Sequence, residues 1–316
     1  MGKTAFMFPG QGAQYIGMGR DFFEKYNVAR ECLQKASEIT NLDINHLILE
    51  DNAEINITEY TQIALFVTEM AMYKVVSSKN IHSDVNIGLS LGEYSALTAS
   101  GVLSFEDACM IVRKRGIYMD SEVPKGQGTM AAVLGLSAET VEKYVNKCEK
   151  ENKKVYAANY NCPGQIVISG LREDVLGSFD ELKSLGARRV MELNVSGPFH
   201  SGLLKNAGDK LYKEFENAKF NLPQIPYIAN VNADYVTEKT GTDNIKDMLR
   251  KQVYSSVKFE QSVRKLLNDG VDTFIEIGPG NTLAGFVKKT AKELSLLSEI
   301  IIINIESVEN LDDLIS

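Results

Sequence analysis

The sequence predicts an α/β fold in which a small β-α-β-β-α-β unit is inserted into a larger unit built on a parallel sheet. Two observations lead to this prediction. Short apolar runs alternate with helical patterns in residues 1–125 and again in residues 197–316, which is typical of a parallel α/β sheet. Residues 126–196 change this rhythm, and the order of their elements is that of a ferredoxin-like subdomain.

The first large segment is predicted to alternate strands and helices up to residue 121. A strand over residues 4–8 is followed by helices over 19–40 and 59–78 and then by the short buried strand Val85-Asn86-Ile87. A helix over 91–100 is ended by Gly101. Ser104 with Asp107 resembles a capping box, which predicts that another helix begins there.

The insert and the last segment are predicted from the same signals. The insert is expected to contain strands over 130–134, 154–160, 165–169 and 188–195, and helices over 138–149 and 173–185. After residue 197 the alternation resumes, with strands near 227–230, 273–277 and 300–305. The larger subdomain is therefore expected to combine residues 1–125 and 197–316, and the smaller one to comprise residues 126–196.

The composition is that of an ordinary globular protein. Hydrophobic residues make up 44% of the 316 residues and charged residues 24%, which argues against extensive disorder. The net charge of −8 disfavours nucleic acid or an anionic membrane as the general partner. The four cysteines have no Cys-x-x-Cys spacing, so neither a disulfide scaffold nor a zinc site is expected. Because no apolar run suggests a signal peptide or a membrane span, we expect a cytoplasmic protein.

Residues 88–93, Gly-Leu-Ser-Leu-Gly-Glu, carry the strongest functional signal. Ser90 has one glycine two residues before it and another two residues after it, which is the spacing of the nucleophile elbow Gly-x-Ser-x-Gly. In such an elbow the serine occupies a strained turn between a strand and a helix, with its hydroxyl exposed at the helix N-terminus. The strand and helix predicted around Ser90 favour a catalytic serine over the alternative, a serine that only caps a helix.

A serine nucleophile usually needs a base, and the chain has three histidines. His82 precedes the elbow strand and is expected at its opposite end. His46 lies in a helical stretch without other polar groups, where a packing role is expected. Elimination leaves His200 as the candidate base, in a loop directly after the last strand of the insert, and a simply solvated histidine is the alternative.

The loop over residues 9–14, Pro-Gly-Gln-Gly-Ala-Gln, follows the first predicted strand. It is expected at the carboxyl edge of the sheet, where α/β proteins place their functional sites. Nucleotide binding is not predicted, because Tyr15 stands where the dinucleotide motif has its third glycine, and Met18 where a P-loop has its lysine. The loop is therefore interpreted as a source of polar donors.

Arg115 is unusual because it lies on the apolar face of its predicted helix. Phe105, Ala108, Val112 and Met119 form that face at spacings of three or four residues. A guanidinium on an inward face is costly unless it meets a carboxylate. Two interpretations remain open, a structural ion pair with an internal acid such as Glu93 and a binding fork for an anionic substrate.

Seven stretches, in this order, resemble malonyl-CoA:acyl carrier protein transacylases of type II fatty acid synthesis and the related acyltransferase domains of polyketide synthases. The resemblance covers nearly the whole chain, and it is carried by residues 8–14, 88–97, 115–119, 159–165, 197–201, 252–254 and 276–280.

The resemblance implies a reaction in two steps. Ser90 would be acylated by malonyl-CoA and then attacked by the phosphopantetheine thiol of an acyl carrier protein. His200 would act as general base and acid, oriented by the main-chain carbonyl of Gln252 and not by an acidic residue. Gln11 and the Leu91 N–H would form the oxyanion hole.

The resemblance also implies how the substrate is bound. Arg115 would hold the malonyl carboxylate in a bidentate manner. Met119, Asn161 and Phe199 would be further substrate-binding residues, and Phe199 matches the bulky residue of malonyl-selective members, where methylmalonyl-selective relatives carry serine. The site would lie in a cleft between the two subdomains. No cofactor is expected, because malonyl-CoA is a substrate and phosphopantetheine is carried by the partner, and the protein is expected to be a monomer.

One position departs from the family pattern, since Leu89 stands where many members have histidine. Because this side chain would point away from the reacting serine, we expect it to tune acyl preference without removing activity. Three alternatives remain. The chain could be a discrete acyltransferase of a polyketide synthase, a serine acyl-thioester hydrolase or a non-catalytic docking scaffold for a carrier protein. A hydrolase mechanism requires neither an inward-facing arginine nor the inserted unit.

Overall fold

The computed structural model describes residues 2–316 as an α/β protein with two β-sheets, which confirms the α/β part of the predicted fold. Its strands are β1 (Lys3–Phe8), β2 (Val85–Gly88), β3 (Gly128–Leu134), β4 (Val155–Cys162), β5 (Gln165–Leu171), β6 (Arg189–Glu192), β7 (Tyr227–Ala229), β8 (Asp234–Val236), β9 (Val257–Lys258), β10 (Val271–Ile277) and β11 (Ile301–Ile305). Its helices are α1 (Arg20–Lys25), α2 (Asn27–Thr40), α3 (Ile44–Leu49), α4 (Thr58–Ser78), α5 (Gly92–Ala99), α6 (Phe105–Ser121), α7 (Ala138–Lys150), α8 (Arg172–Gly177), α9 (Phe179–Ser184), α10 (Lys205–Glu214), α11 (Thr242–Gln252), α12 (Phe259–Asn268), α13 (Thr282–Glu293) and α14 (Val308–Ile315).

The larger sheet has the strand order β11-β10-β1-β2-β7-β8. Neighbouring strands from β11 to β7 are parallel, and β8 pairs with β7 in the antiparallel direction. Both faces of this sheet are buried, because Phe6 and Phe8 of β1 face one core cluster while Ala5 and Met7 face another. Parallel strands end at the same edge, so the loops that follow β1, β2 and β7 come together there.

The second sheet has the order β6-β3-β5-β4-β9. Its first four strands pair antiparallel, and β9 joins β4 in parallel. β9 was not predicted from the sequence, because two residues are too few to show an alternating pattern. The Lys258 N–H of β9 also donates to the Asn230 carbonyl at 2.9 Å, and Asn230 directly follows β7. β9 therefore connects the two sheets.

Three predicted elements differ from the observed ones. The helix predicted over 19–40 is divided into α1 and α2, because Tyr26 has an extended backbone with φ −118° and ψ 126°. The helix predicted over 173–185 is divided at Ser178, whose hydroxyl donates to the Asp174 carbonyl. The strand predicted over 188–195 ends at Glu192. The residues that follow, Leu193 and Val195, line a cavity instead.

The elements around the predicted elbow and the Ser104 cap form as expected, with one exception. β2 and α5 flank Ser90, and Ser104 Oγ accepts the Asp107 N–H at 3.0 Å at the start of α6. The reciprocal half of the predicted capping box is replaced, because the Asp107 carboxylate accepts the Lys219 N–H instead. The cap therefore also attaches a distant segment to the beginning of α6.

Helix α4 is buried along most of its length. Fifteen of its 21 residues are buried, and it packs against α2 and α6. A helix that is apolar on nearly all sides is typical of a core position. None of the helices in residues 2–316 is long and apolar enough to span a membrane.

Candidate active site

Ser90 occupies the tight turn between β2 and α5. Its backbone is left-handed, with φ 56°, a conformation that costs a non-glycine residue about 1–2 kcal/mol. The flanking glycines are sterically required. A Cβ on Gly88 would lie 1.9 Å from the carbonyl carbon of Gly92, and a Cβ on Gly92 would lie 2.1 Å from the carbonyl oxygen of Phe8. The turn therefore has the geometry of a nucleophile elbow.

His200 is hydrogen-bonded to Ser90 through one ring nitrogen and to the main chain through the other. Its Nε2 lies 2.7 Å from Ser90 Oγ, and its Nδ1 lies 2.8 Å from the carbonyl oxygen of Gln252. Like Ser90, His200 has a left-handed backbone with φ 56°. The other histidines lie elsewhere, since His46 pairs with Glu50 and His82 is exposed. The alternative of a solvated loop histidine is wrong, because His200 is buried.

Burial keeps the His200 ring uncharged. Desolvation, reinforced by the positive charge of Arg115, lowers the pKa of His200 from 6.5 to about 3. A neutral imidazole has one N–H, and the Gln252 carbonyl can only accept, so the proton belongs on Nδ1. Nε2 then presents its lone pair to the Ser90 hydroxyl, which is the geometry needed to remove the hydroxyl proton.

Two predicted oxyanion donors lie next to Ser90. Gln11 lines the same cavity as Ser90, and its amide nitrogen donates to Thr58 Oγ1 at 3.0 Å, which leaves the second amide N–H for another acceptor. The Leu91 N–H stands at the N-terminus of α5 and has no hydrogen-bond partner within the described part of the chain. Unused N–H groups at a helix N-terminus attract negative charge.

Arg115 extends from α6 to Ser90 and is almost fully buried. Its Nη1 donates to Gln62 Oε1 at 2.7 Å, and its Nη2 donates to Gln252 Oε1 at 2.9 Å and to Ser90 Oγ at 3.1 Å. The Nε atom has no partner among residues 2–316. The suggested direct ion pair with Glu93 is not formed, so the guanidinium is held by uncharged oxygens only.

A cavity of about 260 Å³ opens in front of Ser90 and His200. The predicted substrate-binding residues Met119, Asn161 and Phe199 line it, together with residues of β3, β4 and β5. Arg115, Gln252 and Leu91 are not among the residues that line it, but each adjoins Ser90. Arg115 Nη2 donates to Ser90 Oγ, the Gln252 side-chain amide donates to the Ser90 carbonyl, and Leu91 follows Ser90 in the chain. The Asn161 side-chain oxygen is buried without a hydrogen-bond partner in residues 2–316, so it can accept a hydrogen bond from a ligand.

Two residues of the site were not predicted from the sequence. Gln62 of α4 binds the Arg115 guanidinium. Asn230 accepts the Ser90 N–H at its Oδ1 and donates through Nδ2 to the Gly88 carbonyl, both at 2.7 Å. A polar residue in an apolar helix and an asparagine directly after a strand were the available signals, but neither indicates a partner.

A serine on a strained strand-to-helix turn, bonded to a buried uncharged histidine, is the arrangement of α/β enzymes that use a serine nucleophile. Within this class, the family described as acyl transferase domain matches residues 5–310, and the chain belongs to that family.

The chain is similar to proteins with a more specific description. The malonyl CoA-acyl carrier protein transacylase of Bacillus subtilis (strain 168) is 45% identical over 299 residues, which cover 94% of this chain and 93% of the relative. The crystal structure of the malonyl CoA-acyl carrier protein transacylase from Clostridium perfringens has a TM-score of 0.92 at 38% identity and covers 99% of this chain and 96% of its own. A chain also matches in the structure described as a type II PKS acyl-carrier protein in complex with its malonyl-transacylase. Its TM-score is 0.91 at 32% identity, and the match covers 98% of this chain and 98% of that chain.

Proposed function

We propose that this acyltransferase moves a malonyl group from malonyl-CoA to the phosphopantetheine thiol of an acyl carrier protein, through a malonyl ester of Ser90. The observation that carries the proposal is Arg115, a buried cation bonded to Ser90 Oγ that has no ion-pair partner in residues 2–316. Such a cation fits a substrate that brings its own carboxylate. The names of the similar transacylases, one of them in complex with an acyl-carrier protein, support the same substrates.

In the first half-reaction, His200 Nε2 accepts the Ser90 hydroxyl proton while Oγ attacks the malonyl thioester carbonyl. The tetrahedral intermediate then releases the CoA sulfur, which takes the proton from His200. In the second half-reaction, His200 removes the proton of the phosphopantetheine thiol, and the sulfur attacks the ester. The C–O bond breaks and the proton returns to Ser90 Oγ, which restores the enzyme.

The negative charge that develops in both half-reactions is on the former carbonyl oxygen. We assign its stabilisation to the Leu91 N–H and to the second amide N–H of Gln11. Both lie at the carboxyl edge of the larger sheet, and preorganised donors of this kind are worth several kcal/mol each when water is excluded.

Substrate selection is assigned to Arg115, which reaches Ser90 Oγ, and to the residues that line the cavity. The malonyl carboxylate accepts from the Arg115 N–H groups that Gln62 and Gln252 do not use. The free side-chain oxygen of Asn161 accepts a hydrogen bond from the bound substrate, and Met119 contacts the acyl group. Phe199 is buried in the cavity wall next to His200 and limits the space beside the malonyl α-carbon.

The finer description of the fold belongs to the same proposal. Residues 1–125 and 197–316 form an α/β-hydrolase-like subdomain, and residues 126–196 form a ferredoxin-like subdomain, with the substrate cleft between them. The order β6-β3-β5-β4 in the second sheet supports this division. β9 is the exception, because it joins the second sheet from outside the proposed boundaries.

One experiment separates this function from its alternatives. The protein is mixed briefly with malonyl-CoA, its intact mass is measured, and a holo carrier protein is then added. A transferase forms a malonyl adduct that the carrier thiol discharges. A hydrolase releases malonate without a carrier, and a docking scaffold forms no adduct. Carriers from fatty acid and polyketide synthesis, compared in the second step, identify the pathway.

No cofactor is needed for the proposed steps, because Ser90 supplies the nucleophile and His200 moves each proton. A monomeric state and a cytoplasmic location stay predictions.

Arg115→Ala is expected to reduce malonyl loading and to narrow or invert the preference for malonyl over acetyl. Truncation leaves the malonyl carboxylate desolvated and unpaired, which costs roughly 2–5 kcal/mol of binding free energy. Acetyl has no carboxylate, so it does not lose this interaction. The measurement is kcat/KM for malonyl-CoA and acetyl-CoA with both proteins. Lys114→Ala on the same helix is the control and should change neither value. A wild-type enzyme that loads acetyl as fast as malonyl would contradict the role of Arg115.

Phe199→Ser is expected to increase the use of methylmalonyl-CoA. Removal of the ring makes room for one methyl group, which in an apolar pocket is worth about 1–3 kcal/mol. In a competition between malonyl-CoA and methylmalonyl-CoA, the masses of the loaded enzyme give the ratio of methylmalonyl to malonyl loading. Phe286→Leu, in the same cavity wall, is the control for an altered pocket volume. An unchanged ratio in Phe199→Ser, or equal loading by the wild type, would exclude Phe199 as the gate.

A further inference from the structure

Glu93 is a buried carboxylate in the first turn of α5, and it makes no ion pair within residues 2–316. Burying an acid without a paired cation is costly, so its hydrogen-bond partners need an explanation. Its Oε2 accepts two hydrogen bonds, one from the Asn230 backbone N–H at 3.2 Å and one from the Gln252 side-chain amide at 3.0 Å. Arg115 binds the other end of that amide, so it is linked to Glu93 only through Gln252.

Both of these partners are hydrogen-bonded to the reacting residues. The Gln252 carbonyl accepts from His200 Nδ1 at 2.8 Å, and its side-chain amide also donates to the Ser90 carbonyl at 2.7 Å. Asn230 accepts the Ser90 N–H and donates to the Gly88 carbonyl. A single carboxylate oxygen therefore anchors both the residue that orients the base and the residue that holds the elbow.

We infer that Glu93 is a positioning residue for the reaction, acting on His200 through Gln252 and on Ser90 through Asn230. This inference rests on the proposed function. The backbone conformations explain why an anchor is needed. Ser90 and His200 both have φ 56°, and strained conformations persist only where the surrounding contacts determine them. Glu93 contacts neither reacting side chain.

The test compares two substitutions. Glu93→Leu removes the acceptor and is expected to slow malonylation of Ser90 by roughly 10²-fold, the cost of misplacing catalytic groups, with little change in KM for malonyl-CoA. Glu93→Gln keeps an acceptor oxygen and should restore most of the rate. Glu69→Leu is the matched control, because Glu69 is an equally buried carboxylate whose partner is Ser95. It should lower the melting temperature, but the protein that stays folded should be malonylated at Ser90 as fast as the wild type.

A double-mutant cycle shows whether Glu93 acts through the base. In a His200→Ala background, Glu93→Leu should cost much less than it does alone, because residues that act as a unit are not additive. If the two substitutions slow malonylation by factors that simply multiply in the double variant, the inference is overturned. It is also overturned if Glu93→Gln is malonylated as slowly as Glu93→Leu. If Glu93→Leu does not fold, Gln252→Asn shortens the link to Glu93 while keeping the main-chain carbonyl, and it should also be slow.

Failure of the inference is distinguishable from failure of the proposed function. A wild-type protein that forms no malonyl adduct would remove the proposed function. A wild-type adduct that forms no faster than the Glu93→Leu adduct would remove only the role of Glu93.

Discussion

Ser90→Ala is expected to abolish the malonyl adduct and to reduce malonyl transfer by on the order of 10⁶-fold, the scale found when a serine nucleophile is removed. The substitution deletes the Oγ atom that lies 2.7 Å from His200 Nε2. The Ser90 N–H that donates to Asn230 is kept, so the elbow should stay folded. Intact mass after brief mixing with malonyl-CoA and the rate of malonyl-carrier formation are the two measurements.

Ser95→Ala is the control, because Ser95 is a buried serine of α5 whose hydroxyl donates to Glu69 and which does not line the cavity. It should keep the adduct. A full adduct on Ser90→Ala would contradict the assignment and would require another nucleophile, for example Cys162. Burial raises the pKa of the Cys162 thiol to about 11, which makes it a poor nucleophile near neutral pH.

His200→Ala is expected to slow malonylation of Ser90 by about 10²–10⁴-fold, the usual contribution of general acid–base catalysis. The substitution removes the group that accepts the Ser90 proton and later returns it. Single-turnover loading from malonyl-CoA measures the first half-reaction, and transfer to the carrier measures the second. Both should be slowed, because the same ring serves both. His46→Ala, at the exposed pair with Glu50, is the control.

The pH dependence of the wild type provides a second measurement of the same role. His200 must be uncharged to accept a proton, and its pKa is lowered from 6.5 to about 3. The acylation rate should therefore stay level as the pH falls from about 8 to about 5, because the imidazole remains neutral over that interval. A rate that falls through pH 6.5 would indicate a solvated histidine, and an unchanged rate in His200→Ala would move the base to another group.

The local features of the site could be predicted because each is determined by neighbouring residues. Gly-x-Ser-x-Gly between an apolar run and a helix defines the turn at Ser90, and the spacing of the apolar residues around Arg115 places that arginine on the inner face of α6. Elimination among three histidines left His200 as the candidate. Its orientation by a carbonyl of Gln252 came from the family resemblance, since no side-chain pattern can indicate a main-chain acceptor.

The features that were missed depend on distant parts of the chain. Asn230 lies 140 residues from the Ser90 N–H it accepts, and Gln62 lies 53 residues from Arg115. No periodic pattern connects such pairs, because they are far apart in the sequence and meet only in the folded protein. The same reason explains β9, whose two residues become a strand only because β4 is beside them. The division at Tyr26 had no breaker such as proline or glycine to reveal it. Gly177, directly before Ser178, was such a signal for the second helix, but the prediction did not use it.

The left-handed backbone at Ser90 and His200 limits how this protein can be made more heat-resistant. Glycine would relieve about 1–2 kcal/mol of backbone strain at such a position, so laboratory evolution that selects for thermal resistance alone would be drawn to both sites. Each such gain would remove a group that we assign to the reaction. Directed evolution should therefore keep codons 90 and 200 fixed and search elsewhere. Ala233 and Ser295 are examples, because both have a left-handed backbone and neither side chain is assigned to the reaction.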